Sequence, residues 1–592
     1  MTTKTFAKFL AKLEKTTSRN KITEILADLF RKSDPEEIDK ICYLLLGKLA
    51  APFEGIEFNI AEKMMIRIIS QAFFVNEKLV HDEFKKNGDL GTTAAQLREK
   101  SKNLKTKRKT VGQVFDQLYE ISREEGEGSV ERKSKLLADL IKESDENFLK
   151  YLVRVPIGKL RLGFSNMTIL DSLSWMEKKD KSLRPQIEAA YNVSADIGKI
   201  AKSFRSGGLK TLAQTKAETG IPILVARADR LPTAEKIIEK LGKCAIEPKI
   251  DGFRMQIHID KTKKEPKLKK NQESLFKTKE KPLIRLYSRS LENTTAMFPD
   301  IVTACSQWLE NGKSLKSAIL DCEAVGYDPK TKKLFSFQKT VQRKRKYGID
   351  KISKEIPLAV FVFDILLINN RSLLKTTFKE RRLILEKTLP KNNPVIRLNR
   401  QIITDNPEVL QREFEKNIKD GLEGVVCKKL DSIYQAGSRN FNWVKFKRSM
   451  DSKLNDTMDC LVMGYYRGKG KRSKFGIGAF LVGVYDQKSE LFKTVAKIGT
   501  GLSDDQWVNL RKRCDKVGVD KKPAEYKVGK NLAPDVWCSP EITVEIKADE
   551  ITKSPAHTAG LALRFPRLEK FRKLEIKDIA SLEETERMYK LQ

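Results

Sequence analysis

The sequence predicts a multidomain protein with an all-α N-terminal domain, an α+β middle domain and a small C-terminal β-barrel. The chain has 592 residues, which is too long for a single hydrophobic core. Its apolar residues change from helical to alternating spacing near residue 220, and Gly-rich turns separate short strands after residue 450. We therefore place the three domains at 1–215, 216–450 and 451–592.

Apolar residues recur at helical spacing through the N-terminal domain. This spacing predicts helices that include residues 6–13, 22–30, 110–118 and 134–141. Asp34 followed by Pro35 is typical of a helix start, with Asp34 as the N-cap. The pair Gly207-Gly208 predicts a break in a later helix.

The middle domain begins with alternating residues. Apolar and polar residues alternate from Phe253 to Asp260, which predicts a half-buried strand with one polar face. The nearly continuous apolar run from Ala359 to Leu366 predicts a central strand. The Lys-rich stretch 261–281 predicts an exposed loop, and contact with DNA is the less favoured alternative for it.

The C-terminal domain consists of short apolar segments between Gly-rich turns. Strands are predicted at Cys460–Tyr466, Ala479–Tyr485, Leu491–Ile498 and Ile542–Ala548. Several short strands within about 140 residues are typical of a small barrel, and the OB-fold is the commonest such barrel on nucleic acid.

The charge balance points to a polyanionic partner. The formal net charge is +36, from 115 Lys and Arg against 79 Asp and Glu. Nucleic acid is the leading candidate because phosphate neutralisation supplies most non-specific affinity. A Lys-rich proteome is the alternative explanation, since it raises surface charge without any bound DNA.

Cysteine, histidine and apolar runs exclude several classes of protein. The eight cysteines contain no CxxC pair, and there are only three histidines, which leaves few building blocks for zinc or Ser-His-Asp chemistry. We find no signal peptide and no run of 18 apolar residues. We therefore expect no membrane span and a reducing, cytoplasmic location, nucleoid-associated if the source is prokaryotic.

The segment 247–254, Glu-Pro-Lys-Ile-Asp-Gly-Phe-Arg, carries the first chemical signal. Strand geometry would place Glu247, Lys249 and Asp251 on one face, and Pro248 predicts the start or the edge of that strand. A lysine amine attacks phosphorus only when neutral, and burial or neighbouring cations lower its pKa. An ordinary surface ion pair before a turn is the alternative interpretation.

Lys249-x-Asp-Gly with Arg254 resembles motif I of the nucleotidyltransferases, which include ATP-dependent DNA ligases, RNA ligases and mRNA-capping enzymes. Segments similar to the later motifs follow in order: Tyr287-Ser288-Arg289, Asp321–Asp328, Val360–Asp364, Leu422–Lys428 and Arg439–Lys447. The resemblance implies an α+β adenylation domain in which AMP becomes bonded to Lys249.

The resemblance also implies a set of ligands. Glu247 would meet adenine or its ribose, and Phe363 would stack on the base. The full set implied for ATP or AMP is Glu247, Arg254, Arg289, Glu323, Phe363, Lys428, Arg439, Lys445 and Lys447. Mg²⁺, with Mn²⁺ as a substitute, would be held by Glu323 and Glu423.

Some of these residues also have an interpretation of their own. Alternation places Lys445 and Lys447 on one strand face, where they repel each other unless an anion such as a triphosphate lies between them. A solvent-facing strand is the alternative. An aromatic residue in an apolar strand is usually core, so only the resemblance assigns Phe363 to a nucleotide.

Two terminal regions resemble DNA ligases in particular. Residues 562–567 are similar to ligase motif VI, with Arg564 and Arg567, and residues 159–163 and 168–171 resemble the helical DNA-binding domain of archaeal and eukaryotic replicative ligases. The implied function is nick sealing in replication, repair and recombination. The implied partner is nicked duplex DNA bound independently of sequence, with a monomeric protein and a sliding-clamp contact as further expectations.

The sequence departs from the family pattern at two places, and two rival functions stay open. Ile250 stands where an aromatic residue is common, and the Asp-Lys pair expected after residues 564–567 is not found at 571–578. The rival enzyme is an RNA ligase or a capping-type guanylyltransferase. The rival binding protein is an inactive nucleotidyltransferase fold that only binds DNA.

Overall fold

The computed structural model describes residues 1–101, 104–160, 162–264, 282–312, 314–345, 347–447, 457–468, 472, 475–572 and 578–591. Most of the predicted Lys-rich loop, residue 161 and residues 573–577 lie outside the described residues.

Twelve α-helices lie in the described part of the first 215 residues, in agreement with the all-α prediction. They are α1 (Thr3–Lys15), α2 (Arg19–Lys32), α3 (Ile38–Leu45), α4 (Glu62–Phe73), α5 (Glu77–Asn87), α6 (Leu90–Lys100), α7 (Val111–Ser122), α8 (Ser129–Glu143), α9 (Glu146–Arg154), α10 (Asn166–Lys178), α11 (Arg184–Val193) and α12 (Ile197–Leu212). Gly208 has φ of 59° inside α12, so the predicted break is confirmed as a kink.

Strands and helices alternate in the middle of the chain. In order they are β1 (Arg227–Arg230), α13 (Ala234–Leu241), β2 (Cys244–Pro248), β3 (Phe253–Lys264), β4 (Pro282–Ser288), α14 (Pro299–Asn311), β5 (Ser317–Gly326), α15 (Phe337–Thr340), α16 (Ile349–Glu355), β6 (Leu358–Ile368), β7 (Arg371–Ser372), α17 (Phe378–Thr388), β8 (Ile396–Leu398), β9 (Ile402–Thr404), α18 (Pro407–Lys419), β10 (Gly424–Lys429) and β11 (Arg439–Lys447).

The C-terminal part is rich in strands. Its elements are β12 (Met458–Tyr466), β13 (Ala479–Asp486), β14 (Leu491–Ile498), α19 (Asp504–Lys516), β15 (Gly518–Val519), β16 (Tyr526–Lys527), β17 (Val536–Cys538), β18 (Thr543–Lys547), β19 (Glu550–Lys553), β20 (Leu561–Arg564), β21 (Arg567–Arg572) and α20 (Leu582–Leu591). All four predicted strands are confirmed here, with ends that differ by at most two residues.

The chain divides into two compact units. The first contains 1–58, 109–125 and 164–448, and the second contains 59–108, 126–163 and 449–592. Each unit therefore includes part of the helical region, and the proposed domain boundaries stay a prediction.

Two sheets build the α+β part of the first unit. A five-stranded sheet has the order β1-β11-β10-β2-β9, and a second sheet has the order β4-β3-β5-β6-β7 with β8 beside β6. Helices α13 and α18 pack on the first sheet through an apolar core that includes Ile237, Leu410 and Val444. The second sheet has its own core, in which Ile257, Trp308 and Val362 are buried.

The second unit contains a mixed sheet of eight strands. The order is β15-β17-β12-β13-β14-β16, and β18 and β21 extend it from β12. Apolar side chains of this sheet and of α19, among them Val482, Trp507 and Val544, form one core. The pairings described within this part of the chain do not include one that closes a barrel, so the closed OB barrel stays a prediction.

The predicted helix start at Asp34 is wrong. Helix α3 begins at Ile38, and the preceding residues form turns. The Asp34 carboxylate accepts a hydrogen bond from the backbone N–H of Glu36 at 2.9 Å. Asp34 thus stabilises an Asx turn over residues 34–36, which competes with the N-cap geometry that its sequence neighbours suggest.

The predicted solvent-exposed polar face of β3 is also wrong, because Gln256, His258 and Asp260 are all buried. The segment 219–223 covers them. The backbone N–H of Gly220 donates to His258 Nδ1 at 3.1 Å, and Gln256 exchanges two hydrogen bonds with the backbone of Ile223 at 3.0 and 2.6 Å. A polar strand face can therefore be interior where a loop's backbone supplies its partners.

Candidate active site

The segment that carries Lys249 is not one strand, so that prediction is wrong. Strand β2 ends at Pro248 and lies between β10 and β9, while β3 begins at Phe253. Pro248 is thus the last residue of an interior strand. Past that end, the Lys249 N–H donates to the carbonyl of Gly424 at 2.9 Å, and the Lys249 carbonyl accepts from Glu423 N–H at 3.2 Å. These bonds fix Lys249 against the start of β10.

The Lys249 side chain is 26% exposed and forms an ion pair with the Glu423 carboxylate. Burial lowers the pKa of Lys249, the nearby Glu323 charge opposes this, and the Lys447 and Lys445 charges lower it further. The chain thus provides both influences that make a lysine amine more nucleophilic, desolvation and neighbouring cations.

One face of the five-stranded sheet carries charged side chains. Val426 of β10 lies opposite Glu247 of β2 on one side and opposite Lys445 of β11 on the other. Directly opposed residues share a face of a sheet, so Glu247 and Lys445 lie on the same side. Val444 and Phe446 belong to the apolar core on the other side. The prediction that alternation separates the lysines of β11 from its apolar residues is confirmed.

Lys445 is surrounded by other cations. Burial lowers the pKa of Lys445, and Arg439, Lys447, Arg230 and Arg289 lower it further by repulsion. Four of these five residues were predicted to bind phosphate, and the structure brings them together. Arg230 was missed, although it lies opposite Lys445 in the β1–β11 pairing. Such a group of cations is suited to a polyphosphate.

Glu247 is the most deeply buried acidic residue of the predicted site, with only 2% of its surface exposed. Its Oε2 accepts from Lys428 Nζ at 2.9 Å and from Asn399 Nδ2 at 3.3 Å. Its Oε1 lies 3.7 Å from Nη1 of Arg382. We call these four residues the Glu247 cluster. Lys428 was predicted to contact the nucleotide, but it is fully buried. The contact that the structure gives it within the site is with the Glu247 carboxylate.

Phe363 lies beside this cluster and is only half-buried. The β5–β6 pairing passes from Cys322–Val362 to Asp321–Asp364, which leaves Phe363 in a bulge. Its ring meets Trp443 edge-on at a centroid distance of 5.9 Å, and Lys428 Nζ lies 4.7 Å from the ring centroid. A bulge re-aims a side chain, and here it leaves the ring of Phe363 half-buried beside Lys428 and Arg254.

Arg254 is held by three protein acceptors. Its Nε and Nη2 donate to the two carboxylate oxygens of Asp321 at 2.9 and 2.6 Å, and its Nη1 donates to the carbonyl of Ala226 at 2.6 Å. The Tyr434 hydroxyl also donates to Asp321, at 2.7 Å. A guanidinium has five N–H groups, so two stay available for a ligand. Asp321 and Tyr434 were not singled out individually in the sequence.

Glu323 lies opposite Arg254 across the β3–β5 pairing. Burial raises the pKa of Glu323 to about 8, although the charges of Arg254 and Lys249 act against this. Such a carboxylate gains by meeting a divalent cation. No three His, Cys, Asp or Glu side chains cluster as metal ligands in the described chain. Glu323 and Glu423 still fit Mg²⁺, which commonly takes one or two carboxylates together with waters and substrate phosphates.

Comparison with known proteins decides the family. Three family models match in succession: DNA ligase N terminus at 2–174, ATP dependent DNA ligase domain at 222–447 and ATP dependent DNA ligase C terminal region at 473–574. A probable DNA ligase of Dictyoglomus thermophilum is 45% identical, covering 95% of this chain and 93% of that protein. The chain belongs to the ATP-dependent DNA ligase family. It is an enzyme that seals nicks in duplex DNA at the expense of ATP.

Other relatives of this ligase agree. DNA ligase 2 of Thermofilum pendens is 37% identical, covering 95% of this chain and 92% of that protein. The solved structure named Pmar-Lig_Pre. has the same fold, with a TM-score of 0.55 at 18% identity, over 96% of this chain and 99% of that one. The helical N-terminal third matches the model of a DNA ligase N terminus, as the sequence predicted. This match decides against an RNA ligase or a capping enzyme.

The segment 562–567, which resembles ligase motif VI, lies in the second unit. Arg564 at the end of β20 pairs with Glu550, with an N–O distance of 2.5 Å, and Arg567 pairs with Asp549. Phe565 between them has a φ of 52° and is 62% exposed. Both arginines thus form ion pairs with acidic residues, Asp549 just before β19 and Glu550 at its start. The segment 573–577, where the expected Asp-Lys pair is missing, lies outside the described residues.

The cysteines and the helices bear on two further expectations, the lack of a disulfide framework and the lack of a membrane span. All eight cysteines are free thiols, and all are buried. No helix in the described residues is long and apolar enough to cross a membrane.

Proposed function

We propose that Lys249 is the nucleophile of this ligase. In the first step the lone pair of neutral Nζ attacks the α-phosphorus of ATP. The bond to the bridging oxygen breaks, pyrophosphate leaves, and the amine loses a proton as lysine-AMP forms. The lowered pKa of Lys249, next to Lys445 and Lys447, is the observation that supports this assignment most directly.

The second and third steps complete the seal. The 5′-phosphate at a nick attacks the lysine-bound phosphorus, which frees the amine and gives a 5′–5′ pyrophosphate-linked AMP. The 3′-hydroxyl then attacks the 5′-phosphorus, releases AMP and loses its proton. Such transfers depend on positioning and charge neutralisation more than on acid–base groups.

The residues around Lys249 divide by what they would contact. Glu247, supported by Lys428, would accept from adenine or meet its ribose, and the half-buried Phe363 would stack on the base. Arg254 has two N–H groups left for the ribose and phosphates. The remaining predicted phosphate contacts are Arg289, Arg439, Lys445 and Lys447.

Glu323 and Glu423 would hold Mg²⁺, or Mn²⁺ in its place. When bound, the ion neutralises phosphate charge as a Lewis acid. The ion pair of Lys249 with Glu423 supports this role in one respect. The Glu423 carboxylate already pairs with a positive charge beside the attacking amine, so it would hold the ion close to the reacting phosphate.

DNA binding would rest on contacts to the sugar-phosphate backbone of the DNA. The net charge of +36 suits phosphate neutralisation, which predicts sequence-independent and salt-dependent binding to nicked duplex. A monomeric state, a sliding-clamp contact, a cytoplasmic location and nucleotide contacts by Arg564 and Arg567 also stay predictions.

A gel assay on a nicked duplex tests the assignment of Lys249. Wild type should seal the nick with ATP and Mg²⁺, while Lys249→Ala should not. The matched control is Lys243→Ala, which changes an exposed lysine just before β2. Lys249→Ala should still seal a nick that already carries AMP on its 5′-phosphate, because that step needs no free lysine. Sealing of the ordinary nick by Lys249→Ala would show that Lys249 is not the nucleophile.

A further inference from the structure

Two buried atoms of the Glu247 cluster have no hydrogen-bond partner. They are Glu247 Oε1 and Arg382 Nη1, which lie 3.7 Å apart. A buried donor or acceptor without a partner is costly, so each needs an explanation. The two atoms are an acceptor and a donor of opposite charge, in residues that are 2% and 5% exposed.

One other polar atom of each side chain has a hydrogen-bond partner: Oε2 of Glu247 and Nε of Arg382. Lys428 and Asn399 donate to Glu247 Oε2 at 2.9 and 3.3 Å, and Arg382 Nε donates to Glu386 at 2.7 Å. Glu386 anchors the guanidinium within helix α17, while Lys428 and Asn399 fix one side of the carboxyl group. The remaining carboxylate oxygen, Oε1, lies near the positive charge of Arg382 but makes no hydrogen bond.

The charge of Arg382 acts on the ionisation of Glu247. Burial raises the pKa of Glu247, and the positive charges of Lys428 and Arg382 oppose that increase. An ionised carboxylate only accepts hydrogen bonds, whereas a protonated carboxyl group also donates one. Whether Glu247 can donate thus depends on the cations beside it.

This difference matters for the choice of nucleotide. Adenine has an amino group, a donor, at the ring position where guanine has a carbonyl oxygen, an acceptor. A carboxylate that only accepts would favour the amino group and repel the carbonyl oxygen. A site built to hydrogen-bond one group rejects an analogue that leaves buried polar atoms unpaired.

We propose that Arg382 is a positioning residue that sets the selectivity for ATP over GTP, by keeping Glu247 an ionised acceptor. This inference rests on the proposed role of Glu247 at the base. The other explanation of Arg382 is structural: it ties α17 to β2 and has no influence on the base. Selectivity distinguishes the two, because a purely structural residue would change the yield of folded enzyme and leave the ratio of the nucleotides unchanged.

The test measures labelling of Lys249 by ATP and by GTP over a range of concentrations, as the ratio of the two second-order rate constants. Arg382→Gln and Arg382→Met remove the charge with a polar and an apolar replacement, so one folded neutral variant is enough. Each should lower the ATP:GTP ratio by about tenfold, because the adenine amino group would lose its charge-assisted hydrogen bond to ionised Glu247. Arg382→Lys should keep most of the selectivity, and Lys387→Met, an exposed charge on the same helix, should not change it.

The outcomes are distinct. A folded neutral variant that labels Lys249 with a ratio within about twofold of wild type would overturn the inference, since a single charge-assisted contact is worth more than that. So would an Arg382→Lys enzyme as unselective as the neutral variants, because charge would then not be the cause. If wild type itself shows no label on Lys249, the proposed function fails and not the role of Arg382 alone.

Discussion

Asp321→Asn should loosen the sheet that carries Arg254. Asp321 is fully buried and accepts from three donors, two on Arg254 at 2.9 and 2.6 Å and the Tyr434 hydroxyl at 2.7 Å. Asparagine has one acceptor oxygen and no charge. At least one donor therefore loses its acceptor, and the guanidinium loses its counter-charge.

The size of the effect follows from what Arg254 keeps. Breaking a buried ion pair on one side costs about 3–5 kcal/mol. Arg254 still donates to the Ala226 carbonyl at 2.6 Å, and its side chain is 16% exposed, so water can solvate part of the charge. We therefore expect the lower end, about 3 kcal/mol of local opening free energy, which is roughly a hundredfold in an equilibrium constant.

Hydrogen exchange read by mass spectrometry checks this locally. Peptides from β3 and β5 should exchange about a hundredfold faster in Asp321→Asn, while peptides from β12 and β13 should be unchanged. Tyr434→Phe is the matched control, since it removes a neutral hydroxyl that donates to Asp321 and accepts from the Ala226 N–H at 3.1 Å, and the loss of these two bonds should cost about 2 kcal/mol. If Asp321→Asn accelerated exchange no more than Tyr434→Phe, the ion pair would not be what holds these strands.

Three further outcomes are expected. The rate of lysine adenylation should rise with pH around a midpoint below 10.5, because burial lowers the pKa of Lys249. Lys447→Ala should move that midpoint upward, because it removes a cation that repels the charged amine. A single-turnover pH profile measures both effects. Affinity for nicked duplex should fall by about a thousandfold or more between about 50 and 200 mM salt and should not depend on sequence, which a fluorescence titration would show. The hydrogen bond from Lys493 lowers the pKa of Asp486 to about 2, from 3.8, so the stability it contributes is present above the unfolded value and is lost as pH falls through about 2. Asp486→Asn should therefore flatten acid unfolding of the second unit in that window.

Local patterns were enough to predict most elements of the fold. The spacing of apolar residues located α1, α2, α7 and α8, and alternation separated the two faces of β11. Short apolar segments between Gly-rich turns located the strands of the second unit, of which β12 and β13 are buried on both sides. Asp34 misled the prediction, since an Asx turn and an N-cap use the same residue types. Whether Asp34 forms an Asx turn or an N-cap depends on where the following residues pack in the fold.

The candidate site was predictable only where its residues stand in motifs. Lys249 was found that way, but its alternating neighbours suggested a strand, whereas bonds to Glu423 and Gly424 from elsewhere in the chain decide its backbone. The polar residues of β3 looked solvent-facing, because alternation does not reveal which segment covers a face.

The missed residues share one property. Arg230, Arg382 and Asn399 reach the site from separate elements, and no spacing in the sequence relates them to Lys249 or Glu247. Their roles come from cross-strand register and burial, which only the fold supplies. A doublet such as Arg381-Arg382 in a helix is more simply explained as surface charge, although both are buried here.

The most direct test of the whole account is peptide mass spectrometry of the wild-type ligase after incubation with ATP and Mg²⁺. If Lys249 is the nucleophile, one added adenylate should appear on the peptide containing Lys249, with fragmentation that places it on that side chain. Nicked DNA added to the sample should also remove the adduct. Adenylate on a different lysine, or none on well-folded protein that seals nicks, would contradict the claim that Lys249 carries the reaction.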